Sequence, residues 1–247
     1  MRIIISPAKK MNINTDTLAC RSVPVYLKET GELLEWMRSL SYAEAKEIWK
    51  CNDKIAEQNY RRFQEMDLER NLTPAVIAYE GIQYQYMAPS VFEGKEIQYI
   101  QEHLYILSGF YGVLRPLDGV TPYRLEMQAK AAVAGTRNLY EFWGDAICRA
   151  VTAGDWTILN LASKEYSKCV EKYLGPGDRF VTCVFGELVD GKVRQKGTLA
   201  KMARGEMVRY LAQTGGREPE DARGFDRLGY RFREELSGPA EYVFIKE

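Results

Sequence analysis

Three short apolar runs, each followed within two residues by serine, glycine or proline, most restrict what this chain can fold into. Runs of about 4–8 apolar residues that end at such breakers are typical of strands buried on both faces. We therefore expect a sheet whose strands end in short polar loops. The runs occupy residues 2–5, 105–108 and 156–161.

Helical periodicity occupies several of the segments between these runs. Ser41, with Glu44 three residues later, has the pattern of a capping box, and Asn52 is placed to cap a second helix. Because neither proline nor glycine interrupts them, residues 42–64 are predicted to form a helical hairpin. Further helices are predicted over residues 30–40, 138–151, 164–173 and 198–213.

The remaining patterns complete a mixed fold. Strands are predicted over residues 75–79 and 242–245, and residues 180–197 read as a β-hairpin that turns at Asp190-Gly191. Pro116 disfavours helix at the residue before it, so the segment LSGFYGVLRPLD is predicted to be a strand end and a structured loop. With no strict βαβ period, repeat or linker, the chain predicts a single mixed α/β (α+β) domain over residues 1–247, with a mixed sheet flanked by helices.

Composition narrows the classes of function. Five scattered cysteines without a C-x-x-C pair predict reduced thiols, and a single histidine makes a metal site improbable. No apolar segment approaches the roughly 20 residues of a membrane helix, and the N-terminus does not have the pattern of a signal peptide. We therefore expect a cytoplasmic protein without a membrane partner or cofactor. The formal net charge is zero, so the chain does not have the overall positive charge of a dedicated nucleic-acid binder. The distribution of charge along the chain is therefore more informative than the net charge.

Two predicted helices carry a basic face opposite an apolar one. Over residues 192–209 six basic residues stand against one acid, and the helix over residues 53–64 repeats the arrangement. Clustered lysine and arginine side chains neutralise phosphates, although each face taken alone is better explained as a solvated exterior. The residues assigned to DNA contact are Lys9, Lys10, Lys50, Asn52, Lys54, Arg61, Arg62, Lys201, Arg204 and Arg209.

Polar residues at the ends of the predicted strands give a second candidate site. Open α/β sheets bind ligands at strand carboxyl ends, but ordinary strand–helix turns use the same residues. An enzyme acting on a nucleotide or nucleoside would use Lys9 or Ser6 there, with Asp118 or Glu126 as a proton-transfer group, and whether the chain is an enzyme stays open. The other residues assigned to this pocket are Ser108, Gly109, Arg115, Tyr123, Arg124, Asn160 and Ser163.

Eight distinctive segments follow one another along nearly the whole chain: IIISPAKKM, NDKIAEQNYRRF, AYEGIQYQYM, LSGFYGVLRPLDGVTPYRLEM, LYEFWGD, NLASKEYSK, KMARGEMVRY and GFDRLGYRF. Together they resemble the YaaA family of peroxide-stress proteins. The resemblance implies a cytoplasmic protein that helps cells survive hydrogen peroxide by limiting free iron and oxidative DNA damage. It also implies a mixed α/β domain of unusual topology, a positively charged cleft, a helix-hairpin-helix-like element and binding of double-stranded and branched DNA.

The sequence thus favours a stress protein that contacts DNA phosphates without sequence readout. A nucleotide-modifying or nucleoside-modifying enzyme, centred on the Ser6-Pro7-Ala8-Lys9 and Ser108-Gly109 loops, is the alternative. An iron-binding protein fits poorly, because iron sites need convergent histidine and carboxylate ligands and the chain has one histidine.

Overall fold

The computed structural model describes residues 1–14, 16 and 18–247. Its strands are β1 (Arg2–Ile5), β2 (Lys10–Met11), β3 (Thr73–Pro74), β4 (Tyr79–Glu80), β5 (Leu104–Ser108), β6 (Gly112–Leu114), β7 (Gly119–Val120), β8 (Thr157–Leu161), β9 (Arg179–Val189), β10 (Lys192–Arg194), β11 (Tyr230–Phe232) and β12 (Glu241–Lys246). Its α-helices are α1 (Leu27–Ser39), α2 (Tyr42–Trp49), α3 (Asp53–Glu65), α4 (Ala75–Ala78), α5 (Ile82–Met87), α6 (Gly94–His103), α7 (Leu139–Trp143), α8 (Ala146–Thr152), α9 (Lys164–Glu171) and α10 (Gly197–Thr214).

One mixed sheet of eight strands organises the domain. Its order is β11-β12-β9-β8-β1-β5-β6, and β10 pairs with the outer part of β9. The five central strands run parallel, whereas β6, β10 and β11 are antiparallel to their neighbours. Parallel strands covered on both faces require continuous apolar runs, which is why Ile3, Ile4 and Ile5 are fully buried. The predicted single domain with a mixed sheet flanked by helices is confirmed.

Strand register brings three polar chain segments to one edge of the sheet. Ile5 lies opposite Ile106 of β5 and Leu161 of β8, so these parallel strands end close together. The chain runs from β1 to β5 on one side and later returns to β8 on the other side of β1. Ligands bind at such a reversal of strand order in open α/β sheets. The edge beyond β1 and β8 is therefore where a site is expected.

The predicted helical hairpin is confirmed as α2 and α3. Ser41 and Glu44 form the capping box, and the Asn52 side chain accepts a hydrogen bond of 3.0 Å from the Ile55 amide. Lys50 ends α2 with a left-handed φ of 45°. The hairpin is present, but its geometry does not identify it as a helix-hairpin-helix motif.

Two predicted elements are wrong, and several observed elements, among them α5, α6 and β11, were missed. Residues 75–79 were expected to be a strand, but they form the short helix α4 leading into β4. A short apolar run cannot by itself distinguish a buried strand from a buried helix. The helix predicted over residues 138–151 is broken into α7 and α8, because Gly144 adopts a positive φ of 49°. Strand β11 has no counterpart among the predicted elements.

Helix α10 lies against α5 at one point of very close approach. A Cβ added at Gly205 would lie 2.1 Å from the Gln83 carbonyl oxygen and 2.9 Å from the Met87 nitrogen. Only glycine therefore fits at this crossing. The contact sets Arg204, the preceding residue of α10, beside the chain of α5.

Replacing Gly205 by alanine is expected to lower the free energy of unfolding by about 1–3 kcal/mol, because the added methyl group forces the two helices apart. Urea unfolding measures the change. Gly197→Ala in the same helix is the matched control, since nothing lies within 4 Å of its added Cβ. The control is expected to leave stability unchanged or slightly raised. Equal losses in the two variants would contradict the close approach.

Candidate functional site at the strand ends

A cavity of about 400 Å³ lies beyond the carboxyl ends of β1 and β8. We call it the strand-end cavity. Its walls come from the loop after β1, from β4 and α5, from the loop after β7, and from the beginnings of α9 and α10. The lining residues are 6–10, 80–84, 123–126, 163, 165, 166, 201 and 204.

Ser6 ties together three of the walls. Its hydroxyl accepts a hydrogen bond of 2.8 Å from the Ser163 amide, and the two serine hydroxyls are 3.2 Å apart. Tyr84 donates a hydrogen bond of 3.0 Å from its hydroxyl to the Ser6 carbonyl oxygen. At the N-terminal end of α9, the Ser6 hydroxyl therefore accepts from the backbone amide of Ser163, whereas the Ser163 side chain does not cap the helix.

The rim of the cavity is rich in cations, some of them paired with carboxylates. Lys9 lies 3.1 Å from Glu126, and Arg124 lies 3.2 Å from the same carboxylate oxygen. Lys10 forms an ion pair with Glu80. In total, five cations and three carboxylates line the cavity, which leaves an excess of positive charge.

Among the described residues, Lys201 and Arg204 are the cavity cations that form no ion pair, and Arg204 is the more buried of the two. Burial lowers the pKa of its guanidinium, and among the described residues no carboxylate is paired with it. Its Nε atom is buried without a hydrogen-bond partner. A half-buried guanidinium without an anion is costly, so the position favours a bound anion.

Two carboxyl groups occupy different environments in the cavity. Glu126 faces two cations, Lys9 and Arg124. Burial raises the pKa of Glu165, and the nearby charge of Glu126 raises it further. Two carboxyls in such different environments, facing one cavity, are an arrangement that proton-transfer sites use.

Three tyrosines, Tyr84, Tyr123 and Tyr166, form an aromatic wall. Burial raises the pKa of all three well above its ordinary value, so they stay neutral. The Tyr123 hydroxyl is hydrogen-bonded to the Tyr79 hydroxyl at 2.7 Å and to Ser108 Oγ at 2.6 Å. Ser108, which the sequence assigned to the pocket, therefore supports this wall from behind and does not line the cavity.

Other predicted pocket residues also have supporting positions. A Cβ at Gly109 would lie 2.5 Å from the Leu125 carbonyl oxygen, so Gly109 lets a lining segment approach closely. Asn160 donates to Thr182 Oγ1 at 3.1 Å and accepts from the Ala162 amide at 2.9 Å. These contacts shape the end of β8 rather than presenting the amide to the cavity.

Arg115 and Asp118 belong to a separate hydrogen-bonded cluster in the loop after β6. Asp118 is 2% exposed and accepts hydrogen bonds from Ser22 Oγ at 2.5 Å and from the Arg115 amide at 2.7 Å. The Arg115 guanidinium lies 5.1 Å from the centre of the Tyr105 ring. Neither residue lines the strand-end cavity, and the carboxylate of Asp118 is used in holding its own loop.

The basic residues of α3 line a groove of their own. Lys54, Arg61 and Arg62 share it with two glutamates and a glutamine of the same helix. Arg62 donates a hydrogen bond of 3.4 Å to the Met11 carbonyl oxygen, so α3 lies against β2, next to Lys10 of the cavity rim. We call this surface the α3 groove.

The remaining residues assigned to DNA contact lie elsewhere. Lys50 and Asn52 occupy the α2–α3 connection and line neither the cavity nor the α3 groove. Arg209 follows Arg204 on α10 by more than one turn, and its Nε is buried without a partner. Of the cations predicted on α10, the cavity therefore gathers Lys201 and Arg204.

Several lining residues escaped the sequence analysis. Gln83 and Tyr84 lie in a helix that was not predicted, although the closely spaced tyrosines of GIQYQYM are a possible signal. Glu165 and Tyr166 fall in the first turn of a helix that was predicted, where acidic residues are common for dipole reasons alone. Their role is visible only after β8 is placed beside β1.

The three buried thiols are poor candidates for a reactive centre. All five cysteines are free, and burial raises the pKa of Cys148, Cys169 and Cys183, that of Cys169 to about 12. Thiols with raised pKa react slowly with oxidants because the thiolate is the nucleophile. Within residues 1–14, 16 and 18–247, no group of three or more metal-ligating side chains is gathered, and no helix combines the length and apolar character needed to cross a membrane.

Glu165→Gln tests the environment of the cavity carboxyl. Because folding raises the pKa of Glu165, ionisation costs stability as pH rises from the ordinary value of 4.5 through the raised one. Glutamine mimics the protonated form at every pH. Urea unfolding is therefore expected to find the variant equal to the wild type near about pH 4 and more stable near about pH 8.

Glu171→Gln is the matched control, since Glu171 is exposed on the same helix. We expect its effect on unfolding to be small and similar at both pH values. A wild type that is more stable than Glu165→Gln near about pH 8 would show that an ionised Glu165 stabilises the fold, contrary to the burial argument.

Comparison with known proteins agrees with the resemblance seen in the motifs. Residues 1–236 match the family described as peroxide stress protein YaaA. A UPF0246 protein of Agathobacter rectalis is 58% identical over 247 residues, which are 100% of this chain and 99% of the relative. UPF0246 proteins of Desulfitobacterium hafniense and Lachnoclostridium phytofermentans are each 55% identical over 246 residues, covering 100% of this chain and 98% and 96% of the relatives. The chain belongs to the peroxide stress protein YaaA family.

Proposed function

We propose that this protein binds double-stranded or branched DNA through its phosphates, without reading sequence, at the rim of the strand-end cavity. The observation that carries the proposal is the convergence of four cations from opposite ends of the chain. Lys9 and Lys10 follow β1, and Lys201 and Arg204 lie in the first half of α10, yet all four line one cavity. Clustered cations of this kind displace counterions from DNA and bind it in a salt-dependent manner.

The ion pairs of the free protein do not oppose this role. The side chains of Lys9 and Lys10 are 66% and 76% exposed, although each has a glutamate partner. Exposed ion pairs contribute only about 0–1 kcal/mol, so a phosphate can replace the carboxylate at low cost. Arg204 has no such partner to give up.

The α3 groove extends the basic surface. The contact between Arg62 and the Met11 carbonyl sets α3 beside the residue that follows Lys10. A duplex lying across the cavity mouth would therefore reach Lys54 and Arg61 as well. In the α3 groove, three cations face two glutamates, so this groove contributes less attraction than the cavity rim.

The family name supports a place for this binding in the response to peroxide. We propose that the protein acts in the cytoplasm, where its five free cysteines would stay reduced, and that it limits iron-dependent oxidative damage to the DNA it binds. The iron part of this role follows from the family resemblance alone.

A second candidate function is an enzyme acting on a nucleotide or nucleoside in the strand-end cavity. The carboxyl pair of Glu126 and Glu165 favours it, since the two differ in environment and face the same space. Lys9 is a weaker catalytic candidate than the sequence implied, because an exposed, carboxylate-paired ammonium is not the desolvated amine that acts as a nucleophile. Proton transfer would then fall to the carboxyls.

Simultaneous replacement of Lys9, Lys10 and Lys201 by alanine is expected to weaken binding to a random-sequence duplex about tenfold or more at low salt. Each lost phosphate contact also flattens the dependence of affinity on salt, so the slope should fall by about 2–3. Alanine replacement of the three α3 cations, Lys54, Arg61 and Arg62, should reduce affinity for the duplex severalfold less than the first variant does. Fluorescence anisotropy over a salt series measures both quantities.

The matched control replaces Lys28, Lys95 and Lys130, three exposed lysines that line neither the cavity nor the α3 groove. It removes the same net charge and should barely change affinity or slope. If the control and the cavity-rim variant lost affinity equally, the binding would reflect net charge and not this site.

Survival of peroxide tests the cellular part of the proposal. The cavity-rim triple variant is the one in which Lys9, Lys10 and Lys201 are replaced by alanine. Cells that carry it in place of the wild type are expected to lose viability and accumulate DNA strand breaks under hydrogen peroxide, as cells without the protein do. Cells that carry the control variant should survive like those with the wild type. Full protection by the cavity-rim variant, at equal protein level, would separate peroxide resistance from DNA binding.

A further inference from the structure

The strand-end cavity is too small for a duplex, yet the cations around its mouth are the ones assigned to hold one. Its volume of about 400 Å³ falls in the range of small-molecule sites. Its rim carries lysines, whereas its interior carries an amide and tyrosine rings. Such a lining matches one unit of a DNA strand, a phosphate with its sugar and base, better than it matches a bare phosphate.

Gln83 gives an independent sign of a ligand. Its side chain is 6% exposed, it lines the cavity, and its Nε2 is buried with no hydrogen-bond partner in the described chain. Buried amide donors are otherwise almost always satisfied, so one that is left free is a position for a ligand acceptor. The edges of nucleobases carry such acceptors as ring nitrogens and carbonyl oxygens.

The tyrosine wall suits the flat part of the same ligand. Tyr84, Tyr123 and Tyr166 are each about 95% buried and line the cavity beside Gln83. The small exposed part of each ring gives an apolar surface against which a base of any identity can lie, which agrees with binding that does not read sequence. The hydrogen bonds of Tyr123 to Tyr79 and Ser108 hold its ring in place before any ligand arrives.

The polar groups that would hold the nucleotide become more buried from the rim towards the interior of the cavity. Lys201 is exposed, Arg204 one turn later is half-buried, and Gln83 is buried against that same part of α10. A phosphate at Lys201 and Arg204 would therefore leave its base within reach of the amide. The crossing at Gly205 is what brings the two recognition groups together.

We propose that the strand-end cavity binds a single nucleotide swung out of the bound DNA, with its phosphate at Arg204 and Lys201 and its base against Gln83 and the tyrosine wall. The inference rests on the proposed function, since the duplex occupies the cations at the mouth. Taking a base out of the stack costs least where the base is already unpaired. The protein should therefore prefer duplexes that contain an unpaired base.

Two duplexes that carry 2-aminopurine, one fully paired and one with the 2-aminopurine as a single-base bulge, test the inference. The wild type is expected to bind the bulged duplex about tenfold more tightly, with a change in 2-aminopurine fluorescence as the base enters the cavity. Gln83→Met removes the unpartnered donor at similar side-chain size. It should reduce the preference for the bulged duplex to about twofold or less.

Gln85→Met is the matched control, because Gln85 is exposed on the same helix and does not line the cavity. It should be as selective as the wild type. Equal binding of both duplexes by the wild type, or an undiminished preference in Gln83→Met, would overturn the inference and leave the proposed function standing. No binding to either duplex would overturn both.

Free deoxyadenosine monophosphate tests whether the cavity takes a nucleotide of bound DNA or a free nucleotide, since both carry the same phosphate, sugar and base. If it raised the melting temperature of the wild type but not of Gln83→Met, while the bulged duplex was not preferred, the occupant would be a free nucleotide. That result would overturn binding of a swung-out base. A preference for the bulged duplex that is lost in Gln83→Met supports it.

Discussion

The buried strand β1 is the constraint on which the rest of the structure depends. It pairs in parallel with β5 on one side and β8 on the other, and Ile3, Ile4 and Ile5 have no exposed surface. A change of register by one residue would move Arg2 or Ser6 into a fully buried position and disrupt the pairing with both neighbouring strands at once. The strand therefore ends at a fixed place, and Ser6 begins the cavity there, joined to the first turn of α9.

The positive charge of the site follows from packing rather than from composition. The chain has no net charge, yet the crossing of α10 over α5 at Gly205 brings Lys201 and Arg204 to the loop that carries Lys9. Burying Arg204 without a carboxylate partner lowers the stability of the fold, and the continuous apolar core offsets this loss. An anion-binding site is a physical reason for keeping such a residue, and the tyrosines and Gln83 indicate what accompanies the anion.

Local signals predicted much of the fold. The run at residues 2–5, the capping box at Ser41 and the Asp190-Gly191 turn are each specified by neighbouring residues, and the turn shows the positive φ values of 50° and 70° that such hairpins require. Elements decided by distant contacts were not predictable in the same way. Residues 75–79 are short and apolar, so their state depends on what covers them, and the break at Gly144 depends on a single backbone angle.

The composition of the site could be predicted only in part. Lys9 and Ser6 were found because they follow an apolar run, and Lys201 and Arg204 because they share a helical face. Their convergence depends on the strand order, which no local pattern contains. Asp118 and Asn160 were chosen for their residue types, yet in the structure their polar atoms are used in loop and strand-end hydrogen bonds.

Lysine footprinting tests most directly whether the cavity rim is the DNA-binding surface. The protein would be acetylated briefly with and without a saturating duplex, and each lysine quantified by mass spectrometry. We expect DNA to protect Lys9, Lys10 and Lys201 together, while Lys28 and Lys130, which lie outside the cavity, react as before. Protection confined to other lysines, with the rim lysines still reactive in the complex, would contradict DNA binding at the cavity rim.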